Sequence, residues 1–219
     1  MNHSSFQSRI LIVDDHPMMR DGLTMRINSQ ADMHVCGEAA CENDAVEMVV
    51  QTSPDLVLVD ISLQSGNGIE LVKRIRLLNA ETKMLVVSTF QESLYAERAL
   101  RAGALGYLNK QESNEKLLEA IRTVLKGERY VSPEITQRLV SQALGKQSLA
   151  DDPLNILTDR EMEIFRLIGA GNSTSTIAEQ LFLSPHTVDT HRENIKKKLG
   201  FKNAAQLNRQ AIQSMLESG

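Results

Sequence analysis

Short apolar segments recur through the first half of this 219-residue chain, and each is separated from the next by enough residues for a helix. Continuous segments rich in β-branched residues are typical of strands buried on both faces of a parallel sheet. Alternating strands and helices predict a doubly wound, five-stranded α/β sheet with right-handed crossovers. The predicted strands cover 10–13, 33–36, 56–59, 84–87 and 104–108, and the predicted helices cover 17–28, 43–51, 66–79, 92–102 and 113–126.

Residues able to bind cations or phosphate come directly after four of these strands. Asp14 and Asp15 follow the first, Asp60 the third and Ser88 the fourth, and Lys110 comes just after the last. We expect these side chains to converge, because parallel sheets bind ligands beyond the carboxyl ends of their strands. Clustered carboxylates repel one another unless a cation joins them, and their oxygens suit Mg²⁺. A carboxylate can also accept a phosphoryl group, which a lysine and a hydroxyl would stabilise.

Each aspartate also has a simpler interpretation, because an aspartate after a strand often caps the next helix. That interpretation applies to any one of these positions taken alone. It does not account for acids, a hydroxyl and a lysine that all follow strands of one predicted sheet. The combination therefore favours a shared site that holds Mg²⁺ and a phosphorylated aspartate.

The composition excludes several other classes of protein. No apolar segment approaches the roughly 20 residues that a membrane span needs. The only cysteines, Cys36 and Cys41, lie in one short segment, which excludes a disulfide framework or a zinc site. Residues 1–8 are polar where a signal peptide has an apolar core, so we expect a disordered or extended N-terminus and a cytoplasmic location.

Residues 9–126 resemble the receiver domain of two-component response regulators. The resemblance is carried by Val13-Asp14-Asp15-His16-Pro17, Asp60, Val87-Ser88 and Gly103-Ala104-Leu105-Gly106-Tyr107-Leu108-Asn109-Lys110. It implies a flavodoxin-like fold that is phosphorylated by a sensor histidine kinase. The implied roles are Asp60 as phosphoacceptor, Asp14, Asp15, Asp60 and the Ser62 backbone carbonyl as Mg²⁺ ligands, Ser88 as switch hydroxyl, Tyr107 as switch aromatic and Lys110 as phosphate partner.

The chain departs from the receiver pattern after Asp60. Leu63 and Gln64 stand where the family commonly has Met-Pro, and a proline there would fix the loop backbone. This departure keeps open a phosphorylation-independent DNA-binding regulator whose receiver mediates protein contacts. A second alternative is an aspartyl-phosphate hydrolase, although Ser62 stands where such enzymes have a second acid. The resemblance itself implies a regulator rather than an enzyme, with chemistry confined to its own aspartate.

The strand pattern stops after about residue 126. Residues 127–153 are predicted to form a linker with a short helix over 133–144, and 154–219 a second domain of four helices. Local sequence signals punctuate this domain. They are a capping box at Thr158–Glu161, a stop at Gly171, an N-cap at Ser173, an N-cap and first-turn proline at Ser184-Pro185, and a stop at Gly200.

The second and third helices of this domain have helix-turn-helix spacing, which places the later helix in a DNA major groove. Around that third helix, an apolar stripe formed by Val188, His191, Ile195 and Leu199 is predicted to face inward. The opposite face carries Asp189, Thr190, Glu193 and Lys197, flanked by Arg192 and Lys196. This arrangement predicts side chains that contact base edges, with cations beside them for phosphates.

Residues 157–212 resemble the LuxR/GerE-type DNA-binding domain. The motifs are Leu157-Thr158-Asp159-Arg160-Glu161, Ile177-Ala178, Thr187-Val188-Asp189-Thr190-His191-Arg192-Glu193-Asn194-Ile195 and Lys198-Leu199-Gly200. With the receiver, they identify a member of the NarL/FixJ family. The resemblance implies a homodimer that binds paired half-sites on double-stranded DNA. The predicted DNA contacts are Thr174, Ser175, Ser184, Thr187, Asp189, Thr190, Arg192, Glu193, Lys196 and Lys197.

Two departures affect this predicted interface. Thr174-Ser175-Thr176 replaces the usual Asn-Lys-Glu, so three hydroxyls stand where a lysine could bind phosphate. Asp189 stands where lysine is common, and with Glu193 it puts two acids in the groove. An acid can accept a hydrogen bond from cytosine but repels phosphate. We therefore expect these acids to restrict sequence choice and to lower non-specific affinity.

Overall fold

The computed structural model of the protein describes residues 7–63, 66–90, 92–144 and 153–217. The chain divides into two units, residues 1–136 and 137–219. Three predictions fall on residues outside the described ranges: most of the predicted N-terminal segment, Gln64 of the departure after Asp60, and the linker over 145–152.

Five parallel strands alternate with helices in the first unit, in the spatial order β2-β1-β3-β4-β5. This confirms the doubly wound, five-stranded sheet expected from the sequence. The strands are β1 (Ser8–Val13), β2 (Met33–Ala39), β3 (Leu56–Val59), β4 (Lys83–Ser88) and β5 (Gly106–Asn109). The helices are α1 (Pro17–Asn28), α2 (Glu42–Thr52), α3 (Gly68–Leu78), α4 (Glu92–Ala102) and α5 (Asn114–Leu125).

Three strand starts differ from the prediction, although β4 begins only one residue early, at Lys83. β1 begins at Ser8, within the predicted N-terminal segment, because Ser8 still pairs with Met33 of β2. β5 begins at Gly106 rather than at residue 104, because the preceding residues close α4. Gly103 adopts φ +122°, and the Ala104 N–H donates to the Ala99 carbonyl of that helix. The glycine conformation ends the helix and delays the strand.

The strands are buried on both faces, which explains their continuous apolar sequences. Alternate strand residues such as Ile12 and Leu58 form one core cluster with α1 and α5. The residues next to them in each strand, such as Leu11 and Val57, point to the other face of the sheet and are also fully buried. Among the other three helices of this unit, α3 packs against both α2 and α4.

Strand order places β1 and β3 side by side, although β2 comes between them in sequence. From β1 the chain continues to β2 on one side of the sheet, and from β3 it continues to β4 on the other side. The gap between β1 and β3 is therefore the topological switch point, where open α/β sheets form a crevice beyond the strand ends. The Asp60 N–H donates to the Val13 carbonyl at 2.8 Å, so the residue after β3 is tied to the end of β1. The topology therefore brings Asp14 and Asp60 to one crevice.

The segment after α5 adds backbone pairing to the free side of β5. Tyr130 forms a parallel bridge with Gly106, its carbonyl accepts from the Tyr107 N–H at 2.9 Å, and its N–H donates to Leu105 at 3.0 Å. Further on, the Ser132 N–H donates to Glu92 Oε1 of α4 at 2.7 Å. Residues that the sequence assigns to the linker thus pair with the sheet, and the division between the units, after residue 136, falls within the predicted linker 127–153.

Six helical segments follow Ser132 in the described part of the chain. They are α6 (Pro133–Ala143), which spans the division, a 3-10 helix (Pro153–Ile156), α7 (Asp159–Gly169), α8 (Thr174–Gln180), α9 (Pro185–Leu199) and α10 (Ala204–Glu217). The last four confirm the four-helix domain. Its predicted capping signals are also confirmed, including the reciprocal Thr158–Glu161 capping box, the Ser173 and Ser184 N-caps, and left-handed Gly171 and Gly200.

The third helix of the second unit is held by both apolar and charged contacts. Val188 and Ile195 on its inner face are fully buried, as the predicted stripe requires. Near its end, Lys198 Nζ lies 2.6 Å from Oε2 of Glu161, a buried residue on α7. These contacts fix α9 against α7 and leave its opposite face in solvent. Among the described helices of the chain, none has the length and apolar character to cross a membrane.

Candidate functional sites

Four side chains converge in the crevice beyond β1 and β3. Ligand atoms of Asp14, Asp15, His16 and Asp60 all lie within 4.8 Å of one another, so the cluster could hold a metal ion. Asp14 and Asp60 are almost fully buried. None of the three aspartates caps a helix here, because His16 is the N-cap residue of α1 and the Asn67 side chain caps α3. The shared site, rather than separate caps, is what the fold forms.

Lys110 lies between the two buried carboxylates. Its Nζ is 2.6 Å from Asp14 Oδ2 and 2.8 Å from Asp60 Oδ2. Burial raises the pKa of Asp60 to about 6, and Lys110 opposes that rise. Burial disfavours the charge of Lys110 itself, but the two carboxylates outweigh it and raise its pKa above the usual value. The lysine therefore remains charged and partly neutralises the acids.

The raised pKa of Asp60 predicts a pH dependence for metal-free protein. Because the folded pKa (about 6) exceeds the unfolded one (3.8), protonated Asp60 stabilises the fold below the unfolded pKa, and that contribution is lost as pH rises through about 6. Wild type in a chelator loses this contribution between about pH 4 and pH 8, whereas Asp60→Asn has none to lose. We therefore expect the unfolding free energy of Asp60→Asn, relative to that of wild type, to rise by up to about 3 kcal/mol over this pH range. Urea denaturation at both pH values measures this, and a difference that does not change with pH would contradict it.

Ser88 and Tyr107 lie on β4 and β5, the two strands that follow β3 in the sheet. Ser88 ends β4 fully buried, its Oγ accepts from the Phe90 N–H at 3.2 Å, and its carbonyl accepts from the Lys110 N–H at 2.8 Å. The buried Tyr107 hydroxyl donates to the Phe90 carbonyl at 2.7 Å. Burial is also the main cause that raises the Tyr107 pKa above its usual value. The structure therefore joins both residues to the turn that follows β4.

Two residues that support the crevice were not predicted from the sequence. Gly68, the first residue of α3, packs so closely that an added Cβ would overlap the Asp60 carbonyl oxygen. Arg20 of α1 donates from Nη1 to the Asp14 carbonyl at 2.6 Å. Ser62, whose carbonyl is a predicted metal ligand, pairs with Asn67 in an isolated antiparallel bridge. A glycine in the first turn of the helix after Asp60 was an available signal, whereas Arg20 looked like any helix-surface arginine.

The solvent face of α9 carries the predicted base-contacting side chains. Asp189, Thr190, Glu193 and Lys197 are all exposed, as the helical periodicity predicts. Several of them already have partners within the domain. Asp189 Oδ1 accepts from the Thr174 hydroxyl at 3.4 Å, Thr190 donates to the His186 carbonyl at 3.0 Å, and Glu193 pairs with Lys196 at 2.7 Å. These side chains would therefore exchange partners within the domain for partners on DNA if they bind it as predicted.

The remaining predicted DNA contacts lie around this face. Ser184 accepts from the Thr187 N–H at 3.0 Å, and the two hydroxyls are 2.8 Å apart, so both are used at the start of α9. Arg192 donates to Asn208 of α10 at 3.1 Å. Ser175 is exposed at the start of α8. The roles of all ten residues in DNA binding stay predictions.

Comparisons with known proteins agree with both units. Residues 10–122 match the family described as response regulator receiver domain, and residues 155–211 match the bacterial regulatory proteins of the luxR family. The chain belongs to the LuxR-type response regulators. The response regulator is 38% identical over 213 residues to the oxygen regulatory protein NreC of Staphylococcus aureus (strain bovine RF122 / ET3-1), covering 95% of this chain and 98% of NreC.

Two solved structures are also similar to this response regulator. A LuxR-family two-component response regulator from Aurantimonas sp. SI85-9A1 has a TM-score of 0.58 and 34% identity, over 63% of this chain and 99% of that one. RcsB from Salmonella enterica serovar Typhimurium, solved bound to the rprA promoter with the phosphomimetic BeF3−, has a TM-score of 0.63 and 22% identity, over 93% and 97% of the two chains. At that identity, the second comparison supports the fold alone.

Proposed function

We propose that this response regulator is a transcription factor controlled by phosphoryl transfer from a sensor histidine kinase to Asp60. The observation that carries the proposal is the position of the Asp60 carboxylate, which lies in the crevice 2.8 Å from Lys110 Nζ and within ligand distance of Asp14 and Asp15. A buried carboxylate beside a fixed cation and a cation-binding pair is suited to accept a phosphoryl group.

The carboxylates fit Mg²⁺, which prefers oxygen ligands and keeps several of its waters. Asp14, Asp15, Asp60 and the Ser62 carbonyl would hold the ion, which supplies positive charge to the phosphoryl oxygens when it is bound. Asp60 forms the new P–O bond as the P–N bond of the phosphohistidine breaks. Lys110 then pairs with the phosphoryl oxygens, and the Ser88 hydroxyl donates a hydrogen bond to them. The chemistry stays on the protein's own aspartate, with no separate substrate to turn over.

The output is proposed to be dimerisation and promoter binding. Ser88 and Tyr107 both contact the turn after β4, so a phosphoryl group that recruits Ser88 would act on that turn and change the receiver surface. The second unit of each protomer would then bind one of two paired half-sites on double-stranded DNA, with its α9 in the major groove. RcsB bound to its promoter with BeF3− offers support by fold similarity.

A phosphorylation assay tests this proposal directly. Wild type incubated with acetyl phosphate and Mg²⁺ is expected to gain one phosphoryl group by intact mass, and Asp60→Ala to gain none. Phosphorylated wild type is expected to bind an operator, selected from random duplexes, more tightly than Asp60→Ala does. Equal operator binding by both proteins, with and without phosphodonor, would favour the phosphorylation-independent regulator. Turnover of small phosphoesters would favour the hydrolase.

The acids on the exposed face of α9 give a prediction about DNA discrimination. Asp189→Ala is expected to strengthen binding to random duplexes and weaken operator preference about fivefold to tenfold, because the acid repels phosphate and selects among bases. Fluorescence anisotropy on the selected operator and on random duplexes at one salt concentration measures the ratio. Asp189→Asn, which removes the charge but keeps an acceptor oxygen, separates repulsion from base contact. Unchanged discrimination in both variants would refute the hypothesis.

A further inference from the structure

We propose that Arg20 is a positioning residue that orders the turn between β1 and α1 and thereby sets the metal affinity of the acidic cluster. The inference rests on the proposed function, because it assigns a role toward the same Mg²⁺ site. Arg20 offers the cluster no ligand atom. It acts through the backbone of Asp14, whose carbonyl accepts from Arg20 Nη1 at 2.6 Å.

Several polar contacts position Asp14, and the one from Arg20 is made to its backbone carbonyl. The Asp14 N–H donates to the Ala39 carbonyl at 3.1 Å. Its Oδ1 accepts from the His16 N–H at 2.9 Å, and its Oδ2 lies 2.6 Å from Lys110 Nζ. A bound cation would compete with Lys110 for that carboxylate. The contacts to the backbone, unlike the lysine contact, can persist when the carboxylate turns to a metal ion.

Arg20 is itself held by a short chain of polar contacts. Its Nε lies 3.5 Å from Glu38 Oε2 on β2, and Glu38 Oε1 accepts from the Thr24 hydroxyl of α1 at 2.7 Å. The Arg20 side chain is only 18% exposed. These contacts fix the guanidinium between helix and sheet. Because Glu38 offsets its charge, Arg20 can stand beside a cation site without imposing a full positive charge on it.

The sign of the effect on Mg²⁺ affinity separates positioning from simple electrostatics. Removing a positive charge near a cation site should strengthen Mg²⁺ binding if charge alone mattered. Removing a group that orients a metal ligand should weaken binding, typically by about tenfold or more. Arg20→Met therefore gives opposite outcomes under the two explanations.

Isothermal titration of the full chain with Mg²⁺ is the first test. Arg20→Met is expected to raise the dissociation constant about tenfold, and Arg20→Lys, which keeps the charge and one donor group, about threefold. Arg26→Met is the matched control, since Arg26 is in the last turn of the same helix and interacts electrostatically with Glu115 instead. It is expected to bind as wild type does. Wild-type or tighter binding by Arg20→Met and Arg20→Lys would overturn the inference.

Amide hydrogen exchange in a chelator is the second test, because it does not depend on the metal. The amides of residues 14–16 are expected to exchange faster in both Arg20 variants than in wild type or Arg26→Met. If wild type failed to bind Mg²⁺, the proposed function would be lost, yet faster exchange would still show that Arg20 orders the turn between β1 and α1. Unchanged exchange in the Arg20 variants would overturn the inference whatever the metal does.

Discussion

Gly68→Ala is expected to destabilise the first unit by about 3 kcal/mol and to reduce phosphorylation of Asp60 severely. The new Cβ would overlap the Asp60 carbonyl oxygen and crowd the Ile61 Cα, both of them backbone atoms. Backbone cannot move aside as a flexible side chain can, so either α3 or the Asp60 segment must shift. The displacement acts on Asp60, the residue that is proposed to accept the phosphoryl group. Urea denaturation and the acetyl phosphate reaction measure the two effects.

Gly22→Ala is the matched control for this substitution. Gly22 lies within α1, and an added Cβ would meet nothing within 4 Å. Alanine in an exposed helix interior is more favourable than glycine by roughly 0.5–1 kcal/mol, so this variant is expected to be slightly more stable than wild type. The overlap at Gly68 would be without consequence if both variants unfolded at the same urea concentration.

Lys110→Met is expected to lower the unfolding free energy by about 3 kcal/mol in a chelator, because it leaves two buried carboxylates without their cation. Part of this loss should be recovered when the acids take up protons at low pH. Part should also be recovered by saturating Mg²⁺ at neutral pH, since the ion then supplies the missing positive charge. Urea denaturation with chelator and with Mg²⁺ measures both. A loss that Mg²⁺ leaves unchanged would contradict a shared metal and lysine site.

Two further variants make the lysine experiment specific. Lys116→Met removes an exposed lysine that pairs with Glu112 at 2.8 Å, and it should be nearly neutral because exposed ion pairs contribute little. Lys110→Arg keeps the charge, although the guanidinium must fit a site where the lysine side chain is only 6% exposed. Intermediate stability is expected for it. If the unfolding free energy falls from wild type to Lys110→Arg and again to Lys110→Met, both the charge of the side chain and its fit to the site contribute to stability.

Much of the fold was predictable because its signals are local. β3 occupies the same residues, Leu56–Val59, that its continuous apolar sequence predicts. A strand buried on both faces is apolar at every position, so its ends coincide with the ends of the apolar segment. The helix ends of the second unit follow from single residues such as Ser184 and Gly200, whose side chain or backbone conformation ends the hydrogen-bonding pattern.

The convergence of Asp14, Asp60 and Lys110 was also predictable, because parallel strands place their carboxyl ends together. The support around them was not. Arg20 reaches a carbonyl across a turn, and Gly68 is required by a backbone contact that depends on how α3 leaves the loop. The Arg20 contact leaves no periodic or motif signal in the chain, and the presence of a glycine at 68 does not by itself show which backbone atoms it meets. The start of β5 was misplaced for a similar reason, because a glycine at φ +122° and not hydropathy decides where α4 ends.

The pairing of Tyr130 with Gly106 also affects how this protein can be divided. A polypeptide cut after Lys126 would strip a neighbour from the outermost strand and leave the N–H of Tyr107 and the carbonyl of Leu105 open to another molecule. It would remove the backbone donor that Glu92 holds as well. A fragment meant to reproduce the receiver domain alone should therefore keep its chain through Ser132, since self-association at the exposed edge of β5 would otherwise be mistaken for the proposed dimer.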